Sequence, residues 1–235
     1  MSTVQVIDDA GRRVARKEVS SIDRARDEAA LLQSLAHPGI VEVLRLEETA
    51  AGHGVLVLGA VDGACLDELV LAPRALTAVL AATATTVADL HDRGLWHGAL
   101  RSDHVLVDAG LAPRLCGFGT AATSLHECQD GASLAADVYD LALLARERVA
   151  RWRSSEPSPD RDDERAASAL DALARRVVVS TPGRRPSARD LAAELARLAA
   201  PGRCSPYPVD AGTVGTMPRH RGSRSASPPP ASSSA

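Results

Sequence analysis

The apolar positions of the chain follow two regimes. Residues 3–7 and 12–19 read as short strands around the turn Asp8-Asp9-Ala10-Gly11. Ser20 or Ser21 then offers a helix cap, with Asp23 at capping-box spacing from Ser20. The helix after it runs to about Ala36, carries Leu31, Leu32 and Leu35, and stops at His37-Pro38-Gly39. Stretches 40–46 and 55–59 read as further strands. From Pro73 the period becomes helical: Leu76, Leu80, Val87 and Leu90 recur at helix spacing up to Gly94. Stretches 105–107 and 113–116 are short strands around a glycine turn. An apolar helix over 138–149, a charged loop over 154–164, and helices over 166–179 and 187–199 complete the pattern. Ser187 and Asp190 again have capping-box spacing, and Leu191, Leu195 and Leu198 form that helix's apolar stripe.

Strands with one helix come first and mostly helices follow, which predicts an α+β fold of two unequal parts. From Pro201 the chain is rich in Pro, Ser, Gly and Arg and ends in Pro228-Pro229-Pro230 and a serine run. That composition cannot bury a core, so 201–235 is expected to be a disordered tail.

Composition narrows the picture. Hydrophobic residues make up 45% of the 235 and aromatics only 2%, so the core has to be built from Leu, Val and Ala. The formal net charge is −3 with acids and bases interspersed, which argues against a nucleic-acid binder driven by phosphate neutralisation. Cys65, Cys116, Cys128 and Cys204 show no C-x-x-C pairing and read as reduced thiols rather than metal ligands or disulfides. The N-terminal residues lack the basic and apolar regions of a signal peptide. The longest apolar stretch, about 76–90, is broken by threonines and Asp89, whereas a bilayer span takes ~20 mostly apolar residues. A cytoplasmic protein without direct membrane insertion is expected.

Four positions carry candidate chemistry. Lys17 is the only lysine in a chain whose other strongly basic side chains are all arginine. A compact ammonium and a planar guanidinium are not interchangeable, so its retention suggests a role arginine does not fill. Glu28 shares a helix face with Leu31, Leu32 and Leu35; it either reaches solvent from the stripe's edge or needs a partner, for which Lys17 is the natural candidate. Phe118, the only phenylalanine, lies in Cys116-Gly117-Phe118-Gly119. His97 follows the long helix in Leu95-Trp96-His97-Gly98-Ala99-Leu100.

Taken in order, these pieces resemble a Hanks-type (eukaryotic-like) bacterial Ser/Thr protein kinase domain over about residues 3–199. Val14-Ala15-Arg16-Lys17 resembles the V-A-I-K strand, and Glu28 matches the helix-C glutamate. His37-Pro38-Gly39-Ile40-Val41 resembles the H-P-N-I-V turn. The stretch from Val57 to Gly63 resembles the hinge, with Leu58 at the gatekeeper place. Leu90-His91-Asp92-Arg93-Gly94 leads into the catalytic-loop place. Asp137-Val138-Tyr139-Asp140-Leu141 resembles the buried helix of the large lobe, and Arg184-Arg185-Pro186-Ser187-Ala188 the R-R-P-S-A turn. The abundance of Ala and Arg is what GC-rich coding gives and points to an actinobacterial member.

The departures concern the chemistry. H-R-D-L-K-x-x-N reads His97-Gly98-Ala99-Leu100-Arg101-Ser102-Asp103-His104 here. Ala99 stands in place of the aspartate that accepts the substrate proton, His104 in place of the metal-holding asparagine, and Gly117 in place of the D-F-G aspartate. The Gly-rich loop would lie before the first strand. Glu127 stands where the A-P-E glutamate would pair with Arg185, without Ala-Pro. By the same resemblance, Leu32, His97 and Phe118 belong to an internal spine, and Asp137 pins the catalytic-loop backbone.

The resemblance thus implies a two-lobe fold, with a truncated β-rich N-lobe and helix C over about 1–60 and a mostly helical C-lobe over about 61–200. It implies no catalytic residues, no metal and no required cofactor. The function it implies is a regulatory or scaffolding module for a protein partner. The alternatives are a switch that binds ATP without Mg²⁺, residual ATP-dependent Ser/Thr phosphotransfer, and an aminoglycoside-phosphotransferase-like H-G-D-L loop, whose aspartate would again be Ala99.

Overall fold

Two antiparallel sheets and a group of helices are built from this pattern in a computed structural model that describes residues 3–124, 131–155 and 160–200. The first compact unit covers Met1–Pro201. Glu127, Cys128, Cys204 and the tail from Pro201 on lie outside the described residues.

β1 (Thr3–Asp9) and β2 (Arg12–Val19) pair in unbroken register from Thr3↔Glu18 to Asp9↔Arg12. The turn between them places Ala10 and Gly11 at positive φ, and Asp8 accepts the Gly11 amide. α1 (Ile22–Leu35) follows, capped by Ser21 rather than Ser20, with the Ser21 hydroxyl accepting from the Arg24 amide. Asp23 pairs instead with Arg26. α1 buries Ala25, Glu28, Leu31, Leu32 and Leu35 along one face, as its period demands. It ends at Ala36, held left-handed at φ 37°, and the Arg93 guanidinium donates to the Leu35 carbonyl 3.0 Å away.

β3 (Val43–Glu48) and β4 (Gly54–Gly59) complete a four-stranded sheet in the order β1-β2-β4-β3. The predicted strand over 40–46 is thereby corrected. Ile40 forms a parallel bridge to Leu115, and the Val41 and Leu115 amides donate across this seam. Gly39 at the seam admits no side chain, since a Cβ there would lie 2.1 Å from the Thr86 hydroxyl oxygen.

The second sheet has the order β5-β6-β7, formed by β5 (Gly63–Cys65), β6 (Val105–Asp108) and β7 (Pro113–Leu115). β5 was not predicted from the sequence. The helices are α2 (Pro73–His91), α3 (Gly119–Ser124), α4 (Gly131–Ser155), α5 (Arg161–Val179) and α6 (Ala188–Ala199). α2 packs along α6 and also touches α4 and α5. Its buried Thr77 and Thr83 donate to carbonyls one turn back, which satisfies hydroxyls that would otherwise oppose burial.

The charged loop expected over 154–164 is mostly helix at its two ends. α4 runs to Ser155, and Asp160 caps α5 by accepting from the Asp162 and Asp163 amides. The acids Asp162, Asp163 and Glu164 sit in the first turn of α5, where the helix dipole favours them. Ser187 caps α6 as expected, while Leu198 is partly exposed and the buried stripe is Ala188, Leu191, Ala192 and Leu195. The core is mainly Leu, Val and Ala, with Phe118 and Trp152 as buried aromatics. Among the described residues no helix is long and apolar enough to cross a membrane.

Candidate functional site

Lys17 and Glu28 meet across β2 and α1. The ammonium lies 2.7 and 2.8 Å from the two carboxylate oxygens. The strand places Lys17 opposite Leu56 of β4, and the helix period brings Glu28 inward with the leucine stripe. The Glu28 side chain is 3% exposed and that of Lys17 13%, so the pair is largely withdrawn from water. Such a pair holds β2 to α1 only while both partners are present.

A second cluster organises the loop after α2. Asp137 of α4 is fully buried and accepts from the His97 amide at 2.8 Å and the Gly98 amide at 2.9 Å. His91, in the last turn of α2, contacts the same carboxylate at 3.0 Å. His97 is itself fully buried: Nε2–H donates to the Cys116 carbonyl and Nδ1 accepts the Ala99 amide. Burial pushes the His97 imidazole below its usual range, against the raising effects of the Cys116 carbonyl and Asp137, so the ring is neutral. Its ring packs on Phe118 at 4.7 Å between centroids and tilts toward His104 at 5.9 Å. Leu32 and Phe118 share the continuous core.

His104 and Gly117 face each other at the centre of the site. His104 Nδ1–H donates to the Ala99 carbonyl at 2.7 Å, which fixes the ring. Gly117 has φ +85°, and a Cβ built there would lie 2.8 Å from three ring carbons of His104. The ring therefore fills the space a side chain at position 117 would need.

A cleft of about 480 Å³ has walls that include Lys17, Arg24, Glu28, Ala99, His104, Gly117 and Thr120, while His91, His97, Phe118 and Asp137 are not on its lining. Arg24 was not singled out in the sequence, although it lies one helical turn before Glu28 and so shares its face. His91 was read only as part of the run 90–94, and its contact with Asp137 was not foreseen. Leu58 is not on the cleft wall; it is buried in the sheet between Ala15 and Val43. Arg185 donates to the Ala135 carbonyl at 2.9 Å and stacks 4.6 Å over the Tyr139 ring; its expected partner Glu127 is outside the described residues.

The cleft's charges are the mutually neutralised Lys17–Glu28 pair and the Arg24 guanidinium. Among the described residues, Glu28 is the only acid on the cleft wall, and Lys17 occupies both its oxygens. Asp103 is turned away: Arg101 grips it through two bonds of 2.9 and 2.6 Å, and it lines a different pocket with Asp67, Asp140 and Glu147. Although partial burial works against it, Arg101 holds the Asp103 carboxyl below its usual range. Among the described residues no group of three or more His, Cys, Asp or Glu side chains is placed to hold a metal ion. Magnesium requires hard oxygen ligands, which Ala99, His104 and Gly117 do not offer from their side chains. Cys116, whose carbonyl accepts from His97, has its thiol pushed up to about 12 by burial and so stays unreactive. No protein-family model matches the chain, and no curated protein matches it.

Proposed function

We propose that the chain is a protein-kinase-like domain that has lost phosphoryl transfer and works as a regulatory or scaffolding module for a protein partner. The order of elements supports a two-lobe reading: a small antiparallel sheet with α1 precedes a mostly helical part. The observation that carries the loss of chemistry is the His104 ring against Gly117, which excludes a carboxylate from the place where one would hold a metal. Phosphoryl transfer depends on positioning and charge neutralisation by such groups and their metal ions. The closed Lys17–Glu28 pair and the Asp137-held loop support a scaffold kept for its shape.

A second reading is favoured by one feature. The cleft wall carries Arg24 beside the Lys17–Glu28 pair, without a free acid among the described residues, which suits a polyanion such as ATP bound without Mg²⁺. Binding would then bias the arrangement of the domain rather than feed a reaction.

The test is phosphate transfer from labelled ATP with Mg²⁺ or Mn²⁺, beside thermal unfolding with ATP alone. The expected result is no transfer to the chain itself or to added protein. A rise in the unfolding midpoint with metal-free ATP, absent in Lys17→Ala, would select the switch. Metal-dependent transfer that vanishes in Lys17→Ala would overturn the reading.

A further inference from the structure

His104 brings one uncommitted nitrogen to the cleft. Nδ1–H is donated to the Ala99 carbonyl at 2.7 Å, so in the neutral ring the lone pair lies on Nε2. Among the described residues no group bonds to Nε2. That atom is not buried either, because among the described residues the only buried side-chain nitrogen or oxygen without a partner is Nε of Arg185. The ring lines the cleft together with Arg24, whose exposed guanidinium has no partner among the described residues.

The other charged and titratable groups around the ring are engaged. Lys17 and Glu28 neutralise each other. His97, 5.9 Å away between ring centroids, is kept neutral by burial and uses both its nitrogens, on the Cys116 carbonyl and the Ala99 amide. Burial keeps the Cys116 thiol protonated, pushed up to about 12. Asp103 is gripped by Arg101, and Asp137 is engaged by the His97 and Gly98 amides and by His91. His104 is therefore the group on this wall that can gain a charge without first breaking an internal bond.

We propose that His104 takes up a proton at Nε2 when the cleft binds a tetrahedral dianion, so that acidification tightens the site. This rests on the second reading above, in which the cleft holds a polyanion. Protonation turns Nε2 from an acceptor into a donor, and the bond from Nδ1–H to the Ala99 carbonyl is kept. It also adds a positive charge to the wall that carries Arg24. A dianion near an imidazolium favours the ring's charged form, and by reciprocity the charged ring strengthens the anion's binding.

The probe is sulfate, which stays a dianion between about pH 6 and pH 8, so that any pH dependence belongs to the protein. Calorimetry of the full chain at constant ionic strength reads the affinity, and NMR of the His104 imidazole reads its protonation. The expected result is saturable binding about tenfold tighter at pH 6 than at pH 8, with the His104 titration displaced to higher pH by sulfate. His104→Asn is expected to bind with the same affinity at both pH values. Arg24→Ala is expected to bind more weakly at both and to keep the dependence. Equal affinities in the parent chain, or a dependence that persists in His104→Asn and so belongs to Glu28 or another group, would overturn the proposal and leave the polyanion reading standing. No sulfate binding at either pH would also overturn it, and the polyanion reading falls only if metal-free ATP fails to bind as well. Where His104→Asn does not fold, a His104 titration unmoved by sulfate in the parent chain overturns the proposal by itself.

Discussion

The His104 ring occupies the volume that any side chain at Gly117 would enter, with three ring carbons 2.8 Å from the position of a Cβ. Restoring an aspartate at 117 therefore needs a change at 104 as well. Gly117→Asp alone is expected to cost about 3 kcal/mol, from overpacking and from a left-handed backbone. His104→Asn combined with Gly117→Asp is expected to recover more than half of that loss. Urea denaturation of the three proteins measures it; a single Gly117→Asp as stable as the parent would sink the steric argument.

The buried pair gives a second prediction. Lys17→Met leaves the Glu28 carboxylate, 3% exposed, without its cation. The expected loss is on the order of 3–5 kcal/mol. Lys17→Met with Glu28→Leu removes both charges and is expected to be at least half restored. A double-mutant cycle reads the coupling, and additive losses would show that the two side chains act separately.

Asp137 accepts from two loop amides and contacts His91, all at a fully buried site. Asp137→Ala strands these groups and is expected to cost about 3 kcal/mol or more, with Asp137→Asn milder because it retains one acceptor oxygen. Chemical denaturation compares the two. Equal losses would mean that retained size and a single acceptor oxygen recover nothing, and that the loop requires the full carboxylate.

Asp140 supplies a pH dependence. Burial, with Asp137 adding to it and Arg185 opposing, raises its carboxyl from 3.8 to about 6. The folded state thus binds this proton more tightly than the unfolded chain, so the group's stabilisation is full below 3.8 and is lost as pH rises through about 6. Asp140→Asn is expected to raise the unfolding midpoint relative to the parent at pH 7 and to leave it unchanged near pH 3.5. A midpoint difference independent of pH would exclude ionisation of Asp140 as the cause.

What the sequence made legible was local. The α1 stripe and the Ser187 cap are written within single helical turns, and the structure has both. Glu28 stood out because a carboxylate on that stripe requires a partner, and the lone lysine sat on the preceding strand. Non-local features were not legible. Ile40 and Val41 favour strands, yet the strand they join ends at Leu115, far along the chain. Acids at 160–164 read as a solvated loop because composition does not reveal a helix dipole. The closeness of His104 to Gly117 depends on how β6 and β7 bring two segments together, and no spacing rule encodes that distance.

Lys17 is the only side-chain amine in the chain, and it is held by Glu28. Acetylation or any other acylation of lysine therefore has one address, and that address is shut. Adding an acyl group there would cancel the cation and strand the carboxylate, turning one covalent event into the release of α1 from β2. The rate at which an amine-reactive reagent adds its mass to Lys17 is accordingly a direct clock for how often this part of the fold opens.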